Sequence, residues 1–170
     1  MKKVTVVGVL LGLVILNQPI TAHANSLSYL PTEYETGIPN DIYEYANIVG
    51  GEFDICPELL MALAERESGC TATAENGPCK GLMQVNANTH KQRFEDAGWK
   101  NSDWADPYKN MYVAASYLSE LFETYEDVGI VLGVYHGESN AVEKGKSGRI
   151  SSYTKKILDR SYELERINGK

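Results

Sequence analysis

The chain has 170 residues, of which 43% are hydrophobic and 23% are charged, and this length suits one globular domain but is too short for two. Its formal net charge is -7. Nucleic acids and anionic membranes both select for basic surfaces, so the acidic balance argues against either as a general partner.

Residues 1–24 have the pattern of a cleaved export signal. Two lysines precede an apolar run that ends at Leu16, and Ala22 and Ala24 supply small residues where a signal peptidase reads the chain. The alternative is a membrane anchor, but the run is too short to span a bilayer comfortably, and nothing later in the sequence is long or apolar enough. We therefore expect a mature protein that begins at Asn25, is secreted or held in the cell envelope (cell wall), and has no stable membrane insertion after signal cleavage.

Removal of the signal would take 2 of the 16 basic residues and none of the 23 acidic ones, which changes the net charge to -9.

Residues 25–39 contain Ser, Thr, Pro and Gly without a period, and they predict an extended N-terminal segment. Residues 40–170 then form the folded domain. Its first helix is predicted over residues 41–49, with Asn40 as the cap and the following glycine pair as the stop.

Residues 58–68 are the most informative stretch, and they predict a single helix. Pro57 stands at the first helical position, which tolerates proline because the N–H that it lacks would be unpaired anyway. Gly69 follows as the predicted stop.

Glu67 is the carboxyl that this helix turns inwards. At about 100° per residue it falls within the apolar stripe, whereas Glu58 and Glu65 point the opposite way. The stripe consists of Leu60, Leu63 and Ala64. Because desolvation disfavours the charged form, Glu67 is expected to hold its proton, and a carboxyl protonated near neutral pH is what a general acid requires.

Three cysteines remain in the exported chain, so at most one disulfide can form among them. Pairing of Cys70 with Cys79 closes the shortest loop and is slightly favoured by loop-closure entropy. Pairing of Cys56 with Cys79 is the alternative, and three reduced thiols are a third possibility.

The remaining pattern predicts a mainly α fold with one small β-hairpin or loop patch beside a cleft. Turn residues dominate positions 69–80, and a short extended run follows over residues 81–86. Helices are predicted over residues 90–97, from Asp106-Pro107 to residue 125, over the apolar segment 130–135, and over residues 152–167, with a loop through residues 144–148. The last helix carries Tyr153 on its apolar side.

A protonated carboxyl in a cleft suits the cleavage of a glycosidic bond, because the acid protonates the leaving oxygen as an oxocarbenium-like centre forms. The 11 tyrosines are compatible with a sugar ligand, since tyrosine offers an apolar face and a hydroxyl, although composition alone proves little.

Four segments in this order and at these separations resemble the soluble lytic transglycosylase (SLT) domain, a relative of goose-type lysozyme. The resemblance covers roughly residues 40–142. The segments are Ala64-Glu65-Arg66-Glu67-Ser68-Gly69, Gly81-Leu82-Met83-Gln84, Ala115-Ser116-Tyr117-Leu118 and Val134-Tyr135-His136-Gly137.

The resemblance implies a lysozyme-like α+β fold and cleavage of the β-1,4 bond between N-acetylmuramic acid and N-acetylglucosamine in peptidoglycan. Glu67 would be the single acid/base, and the muramoyl 6-hydroxyl would complete the reaction to give a 1,6-anhydro product. The resemblance implies no cofactor and no metal. Peptidoglycan glycan strands are the implied partner of a monomer, and service to secretion or conjugation machinery is left open.

The same resemblance assigns further residues to the substrate site. Ser68 would support the helix end or the site wall, Gln84 would contact substrate, and Met83 would lie beside the sugar. Tyr135 would orient the catalytic carboxyl through its hydroxyl. His136 stands where the family usually has asparagine, and imidazole can replace one amide hydrogen bond but not both.

Three other interpretations are compatible with these residues. The same fold with water as nucleophile would be a hydrolytic muramidase, and a fold without turnover would be a wall-binding or assembly protein. In the third interpretation Glu67 is a structural carboxyl, since ion-pair networks also perturb carboxyls. His90 and His136 lack the spacing of metal ligands, so hydrogen-bonded or solvated imidazoles are favoured for both.

Overall fold

A computed structural model describes residues 33–170, and the predicted export signal lies outside the described residues. The α-helices are α1 (Glu33–Thr36), α2 (Asn40–Phe53), α3 (Pro57–Ser68), α4 (Lys91–Asp96), α5 (Pro107–Thr124), α6 (Val128–Tyr135), α7 (Ala141–Lys146) and α8 (Ser152–Ile167). A 3-10 helix covers Asn101–Ala105, and the strands are β1 (Glu75–Asn76), β2 (Cys79–Lys80) and β3 (Val85–Asn86). The predicted mainly helical fold with a small β patch is confirmed. Within residues 33–170, no helix combines the length and apolar character needed to cross a membrane.

Helix α3 is the centre of the core, with α2, α5 and α8 packed around it. It begins at Pro57 and ends at Gly69, whose φ of 59° is left-handed, so both predicted ends are confirmed. The helix is enclosed on nearly all sides over its first two turns. Glu58, predicted to point away from the core, is only 1% exposed. That prediction was wrong because it assumed one apolar face, whereas α3 is surrounded by helices.

The three short strands form an antiparallel sheet in the order β1-β2-β3. Asn76 pairs with Cys79, and Cys79 pairs with Asn86, so β2 is the central strand. The hairpin predicted in the turn-rich stretch is thereby confirmed. The loop between β2 and β3, rather than a continuous extended run, carries the predicted motif of residues 81–84.

Two helices pass through glycines that were predicted to end a helix or lie in a loop. Helix α2 continues through Gly50, where a Cβ atom would lie 2.6 Å from the carbonyl oxygen of Ile55. Helix α7 includes Gly145, where a Cβ atom would lie 2.1 Å from Cγ1 of Ile130. These glycines permit close packing of backbone against a neighbouring segment, which outweighs their low helix propensity. A single helical turn, α1, also occupies part of the segment predicted to be extended.

The three cysteines, all within residues 33–170, are free thiols, so the predicted disulfide is absent from this structure. Cys56 and Cys70 flank opposite ends of α3, which a helix of 12 residues separates by about 18 Å. Cys79 lines a cleft on the sheet side, whereas Cys70 has Glu65 and Arg160 among its charged neighbours. Burial raises the pKa of the Cys70 thiol to about 11, which disfavours the reactive thiolate.

Candidate active site

Glu67 lies in the last turn of α3 and faces a polar cleft of about 270 Å³. The cleft is bounded by the end of α3, the small sheet, the β2–β3 loop and the end of α6. Its lining residues are Glu67, Asn76, Cys79, Gln84, Tyr135 and His136. Four of these six residues were identified from the sequence as candidate site residues, and the fold brings them together around one cavity.

The Glu67 carboxyl has a raised pKa because it is partly withdrawn from water. A hydrogen bond from the hydroxyl of Tyr153 to Oε1, together with the nearby charges of His136 and Arg66, acts in the opposite direction. Desolvation is the largest of these effects, so the protonated form of Glu67 is favoured relative to a free glutamate. This is the electrostatic behaviour expected of a general acid.

Tyr153 is a member of the site that sequence reasoning missed, because it lies on the apolar face of α8. It is only 8% exposed, and its ring is stacked on His136 with a centroid distance of 3.7 Å and an interplanar angle of 12°. The guanidinium of Arg66 lies 5.7 Å from the same ring centroid. A buried phenol needs a hydrogen-bond partner, so a tyrosine on the inward face of a helix is the sequence signal that could have indicated a polar contact here.

Tyr135 lines the cleft, but its hydroxyl does not donate to Glu67. It donates to the carbonyl oxygen of Met83 at 2.8 Å and so holds the β2–β3 loop against α6. The centroid of its ring is 5.9 Å from that of Tyr117, which also packs against His90. The role of carboxyl orientation expected of Tyr135 therefore falls to Tyr153.

The motif Gly81-Leu82-Met83-Gln84 forms a tight loop whose polar groups are largely used to hold its own shape. Met83 is fully buried, and therefore its side chain belongs to the core and does not lie beside a sugar as expected. Gln84 has a left-handed φ of 49°, and its Nε2 donates to the carbonyl oxygens of Ala74 and Gly81 at 3.1 and 2.9 Å. Its side-chain oxygen has no such bond within residues 33–170, and Gln84 still lines the cleft.

Ser68 has the supporting position that was expected. Its hydroxyl donates to the carbonyl oxygen of Leu82 at 2.7 Å and accepts from the N–H of Thr71 at 3.0 Å. These bonds join the end of α3 to the β2–β3 loop, which fixes Glu67 relative to Gln84. Ser68 does not itself line the cleft.

Asn110 on α5 is a second residue that sequence reasoning missed. It is fully buried, accepts from the N–H of Met83 at 2.7 Å and donates to the carbonyl oxygen of Lys80 at 3.1 Å. One amide thereby satisfies two backbone groups, one at the end of β2 and one in the β2–β3 loop. The available signal was a polar residue one turn before Ala114 on a helix whose other inward positions are apolar.

Within residues 33–170, no group of three or more His, Cys, Asp and Glu side chains is arranged to hold a metal ion. The site is therefore described by one carboxyl, its phenol donor, the stacked imidazole and a loop rich in hydrogen bonds.

The fold and the cleft define a mainly helical, lysozyme-like domain that presents one partly buried carboxyl beside a small antiparallel sheet. Comparison with known families agrees with that class. The chain belongs to the transglycosylase SLT domain family, whose sequence profile matches residues 44–158. The match includes Glu67, Gln84, Tyr135 and Tyr153, and it confirms the resemblance inferred from the four motifs.

The chain is also similar to a transglycosylase of Enterobacteria phage PRD1, with 29% identity over 117 residues. The aligned region covers 68% of this chain and 41% of the phage protein. This chain therefore spans about two-fifths of the length of that curated relative.

Proposed function

We propose that this protein is a peptidoglycan lytic transglycosylase that cleaves the β-1,4 bond between N-acetylmuramic acid and N-acetylglucosamine. Membership of the SLT domain family supports the reaction class. One observation supports Glu67 as the acid: its carboxyl has a raised pKa, faces a polar cleft and accepts a hydrogen bond from Tyr153.

The hydrogen bond from Tyr153 sets which oxygen of Glu67 acts. Because the phenol donates to Oε1, the acidic proton resides on Oε2, the oxygen left for the substrate. That proton moves to the glycosidic oxygen as its bond to the muramoyl C1 breaks, and the charge that develops at C1 is stabilised by the substrate's own N-acetyl group.

The second half of the reaction restores the enzyme. Glu67, now a carboxylate, takes the proton from the muramoyl 6-hydroxyl while that oxygen bonds to C1, which yields a 1,6-anhydromuramoyl end. The hydrogen bond from Tyr153 stabilises the carboxylate in this interval, as a donor to the charged form does. The net change is one broken and one formed C–O bond, and the acid regains its proton.

A single-carboxyl mechanism is supported by the composition of the cleft. Among the cleft-lining residues of the described chain, Glu67 is the only acid, so a paired carboxylate to act as nucleophile is absent from that surface. Gln84, His136 and Asn76 are the polar side chains placed to contact sugar hydroxyl and acetamido groups.

The site of action follows from the substrate. A peptidoglycan substrate and the predicted export signal support a secreted or envelope location, with glycan strands as the principal partner. We further propose that the protein acts as a monomer, and that any link to secretion or conjugation machinery would operate by local opening of the wall.

Mass spectrometry of the products released from purified sacculi tests this proposal. The expected products carry muramoyl ends that lack one water, and Glu67→Gln protein should release none of them. Reducing, hydrated ends would contradict the transglycosylase assignment and identify a muramidase. Absence of any released muropeptide from the wild type would instead identify a wall-binding protein without turnover.

A further inference from the structure

A second cavity lies between α3 and α8, on the outer surface of the helix pair that carries Glu67 and Tyr153. Its volume is about 230 Å³. Its lining residues are Ala62, Glu65, Arg66, Lys156 and Arg160. Residues 62, 65 and 66 lie on one face of α3 and residues 156 and 160 on one face of α8, so the cavity follows the groove between the two helices. We call it the α3–α8 groove.

Two of the three cations in the α3–α8 groove form no ion pair with another residue of the described part of the chain. Arg160 is held by Glu65 at 2.6 Å and Glu163 at 2.8 Å. Arg66 and Lys156 are both exposed, and neither has a carboxylate partner among residues 33–170. In a chain with a net charge of -7, an open groove with two unpaired cations is a local reversal of sign that favours an anionic ligand.

A series of contacts links the groove to Glu67: Arg66 lines the groove and lies over the ring of Tyr153, and the hydroxyl of Tyr153 donates to Glu67. Arg66 immediately precedes Glu67, and Lys156 lies one helical turn beyond Tyr153, a rise of about 5 Å along α8. His136 of the cleft stacks on the Tyr153 ring, and the guanidinium of Arg66 lies 5.7 Å from the centroid of the same ring. Arg66 is therefore connected to the Glu67 carboxyl through the single side chain of Tyr153.

We propose that the α3–α8 groove binds carboxylates of the stem peptide carried by N-acetylmuramic acid. This inference rests on the proposed function, because it identifies which part of the wall polymer is recognised beside Glu67. The stem peptide is attached through the lactyl group on O3 of the same sugar whose C1 reacts, so it leaves the cleft close to Glu67. The guanidinium of Arg66 suits bidentate recognition of a carboxylate, and the ammonium of Lys156 adds a second, more flexible donor.

The groove would then select wall that still carries peptides. Glycan from which an amidase has removed the stems keeps the sugar contacts but loses the peptide carboxylates. The contribution of each cation is modest, since exposed ion pairs are weak and screened by salt.

Calorimetric titration with soluble, uncross-linked glycan strands tests the proposal, with one sample bearing stem peptides and the other stripped by amidase. The full mature chain carries Glu67→Gln so that binding is measured without cleavage. Peptide-bearing strands should bind more tightly than stripped strands. Adding Lys156→Gln should raise the Kd for peptide-bearing strands about threefold, and adding Arg66→Gln as well should raise it about tenfold, with no change for stripped strands.

Lys155→Gln is the matched control, because Lys155 is an exposed neighbour on α8 that is paired with Asp159 at 2.7 Å. Lys155→Gln should leave both Kd values unchanged. Lys156→Arg, which keeps the positive charge, should bind peptide-bearing strands as tightly as the protein with Lys156. The proposal would be overturned by equal Kd values for the two strands or by tighter binding of stripped strands through their lactyl carboxylates. Equal effects of Lys155→Gln and Lys156→Gln on the Kd for peptide-bearing strands would also overturn it. A wild type that cuts neither strand would contradict the proposed function, whereas the binding comparison would still decide the role of the groove.

Discussion

The two ends of α3 each carry a buried or partly buried carboxyl, and the surroundings shift the pKa values of these two carboxyls in opposite directions. Glu58, in the first turn, is 1% exposed and has a pKa lowered to about 2. Glu67, in the last turn, is less enclosed and has a raised pKa. Desolvation opposes the charged form at both positions, so burial alone does not explain the difference.

The number of donors explains it. Glu58 accepts hydrogen bonds from Asn168 at 2.6 Å, Lys170 at 2.9 Å and the Cys56 thiol at 3.0 Å. These bonds, one of them from a cation, outweigh desolvation and keep the group charged. Among residues 33–170, Glu67 accepts a side-chain hydrogen bond only from the phenol of Tyr153, and it otherwise faces an open cleft. Glu58, with several hydrogen-bond donors, is therefore a structural anion, whereas Glu67, with few donors, is a candidate acid.

The largest expected effect is on turnover at the C-terminal end of α3. Glu67→Gln should lower the rate of sacculus clearing about 1,000-fold, because an amide cannot deliver the proton. The free energy of unfolding should be unchanged or slightly higher, since the amide keeps an oxygen that can accept from Tyr153 and cannot ionise in the partly buried site. The paired measurements are clearing of purified sacculi and urea unfolding. Retained turnover would remove Glu67 from its assigned role.

The opposite result is expected at the N-terminal end of α3. Glu58→Gln should lower the free energy of unfolding by about 2 kcal/mol, because the charge-assisted bonds are lost, and the loss is limited because Lys170 stays partly exposed. Turnover per folded molecule should stay at the wild-type value. Equal loss of activity in the two glutamine variants would break the contrast between the two ends.

The pH dependence of stability sharpens the same test. A depressed pKa stabilises the fold above the ordinary pKa of 4.5, and this contribution is lost as the pH falls through about 2. The difference in unfolding free energy between the wild type and Glu58→Gln should therefore be constant near neutral pH and shrink with acid below pH 4.5. A difference that grows as the pH falls would contradict the assignment of Glu58 as a stabilising anion.

The smallest expected effect distinguishes Tyr153, which donates to Glu67, from Tyr135, which lines the cleft. Tyr153→Phe removes the hydrogen-bond donor that favours the Glu67 carboxylate, so the pKa of Glu67 should rise. The alkaline limb of the pH profile of kcat/KM should therefore move to higher pH. We expect about a tenfold loss of kcat because the carboxylate intermediate is less stabilised.

Tyr135→Phe is the comparison variant. Its hydroxyl donates to the carbonyl oxygen of Met83, so the substitution should loosen the β2–β3 loop without moving the alkaline limb. The pH profiles of kcat/KM for the two phenylalanine variants decide between these roles. Equal displacement of both profiles would show that the phenols act on Glu67 together.

Local chemistry made the principal helices predictable. Pro57 and Gly69 mark the ends of α3, and Asp106 caps α5 by accepting from the N–H of Lys109, with proline at the first helical position. These signals depend on residues close in sequence. The continuation of α2 through Gly50 was not predictable in this way, because it depends on how closely the next segment approaches.

The site was predictable only in part for the same reason. Helical phase placed Glu67 on an inward face, and the family resemblance identified the loop that opposes it. The donor to Glu67 comes from Tyr153, 86 residues later in the chain, and the support for Met83 comes from Asn110, 27 residues later. Periodicity marks both positions as inward but cannot say which polar group each one meets.

The separation between Glu67 and Tyr153 also has a consequence for the order of folding. A contact across 86 residues requires closure of a long loop, and here it depends on docking of α8 against α3. A nascent or truncated chain that ends before α8 contains Glu67 and the Gly81–Gln84 loop but lacks the phenol that completes the site. Under the proposed function, the capacity to cleave peptidoglycan would therefore arise late in folding, after α8 has docked.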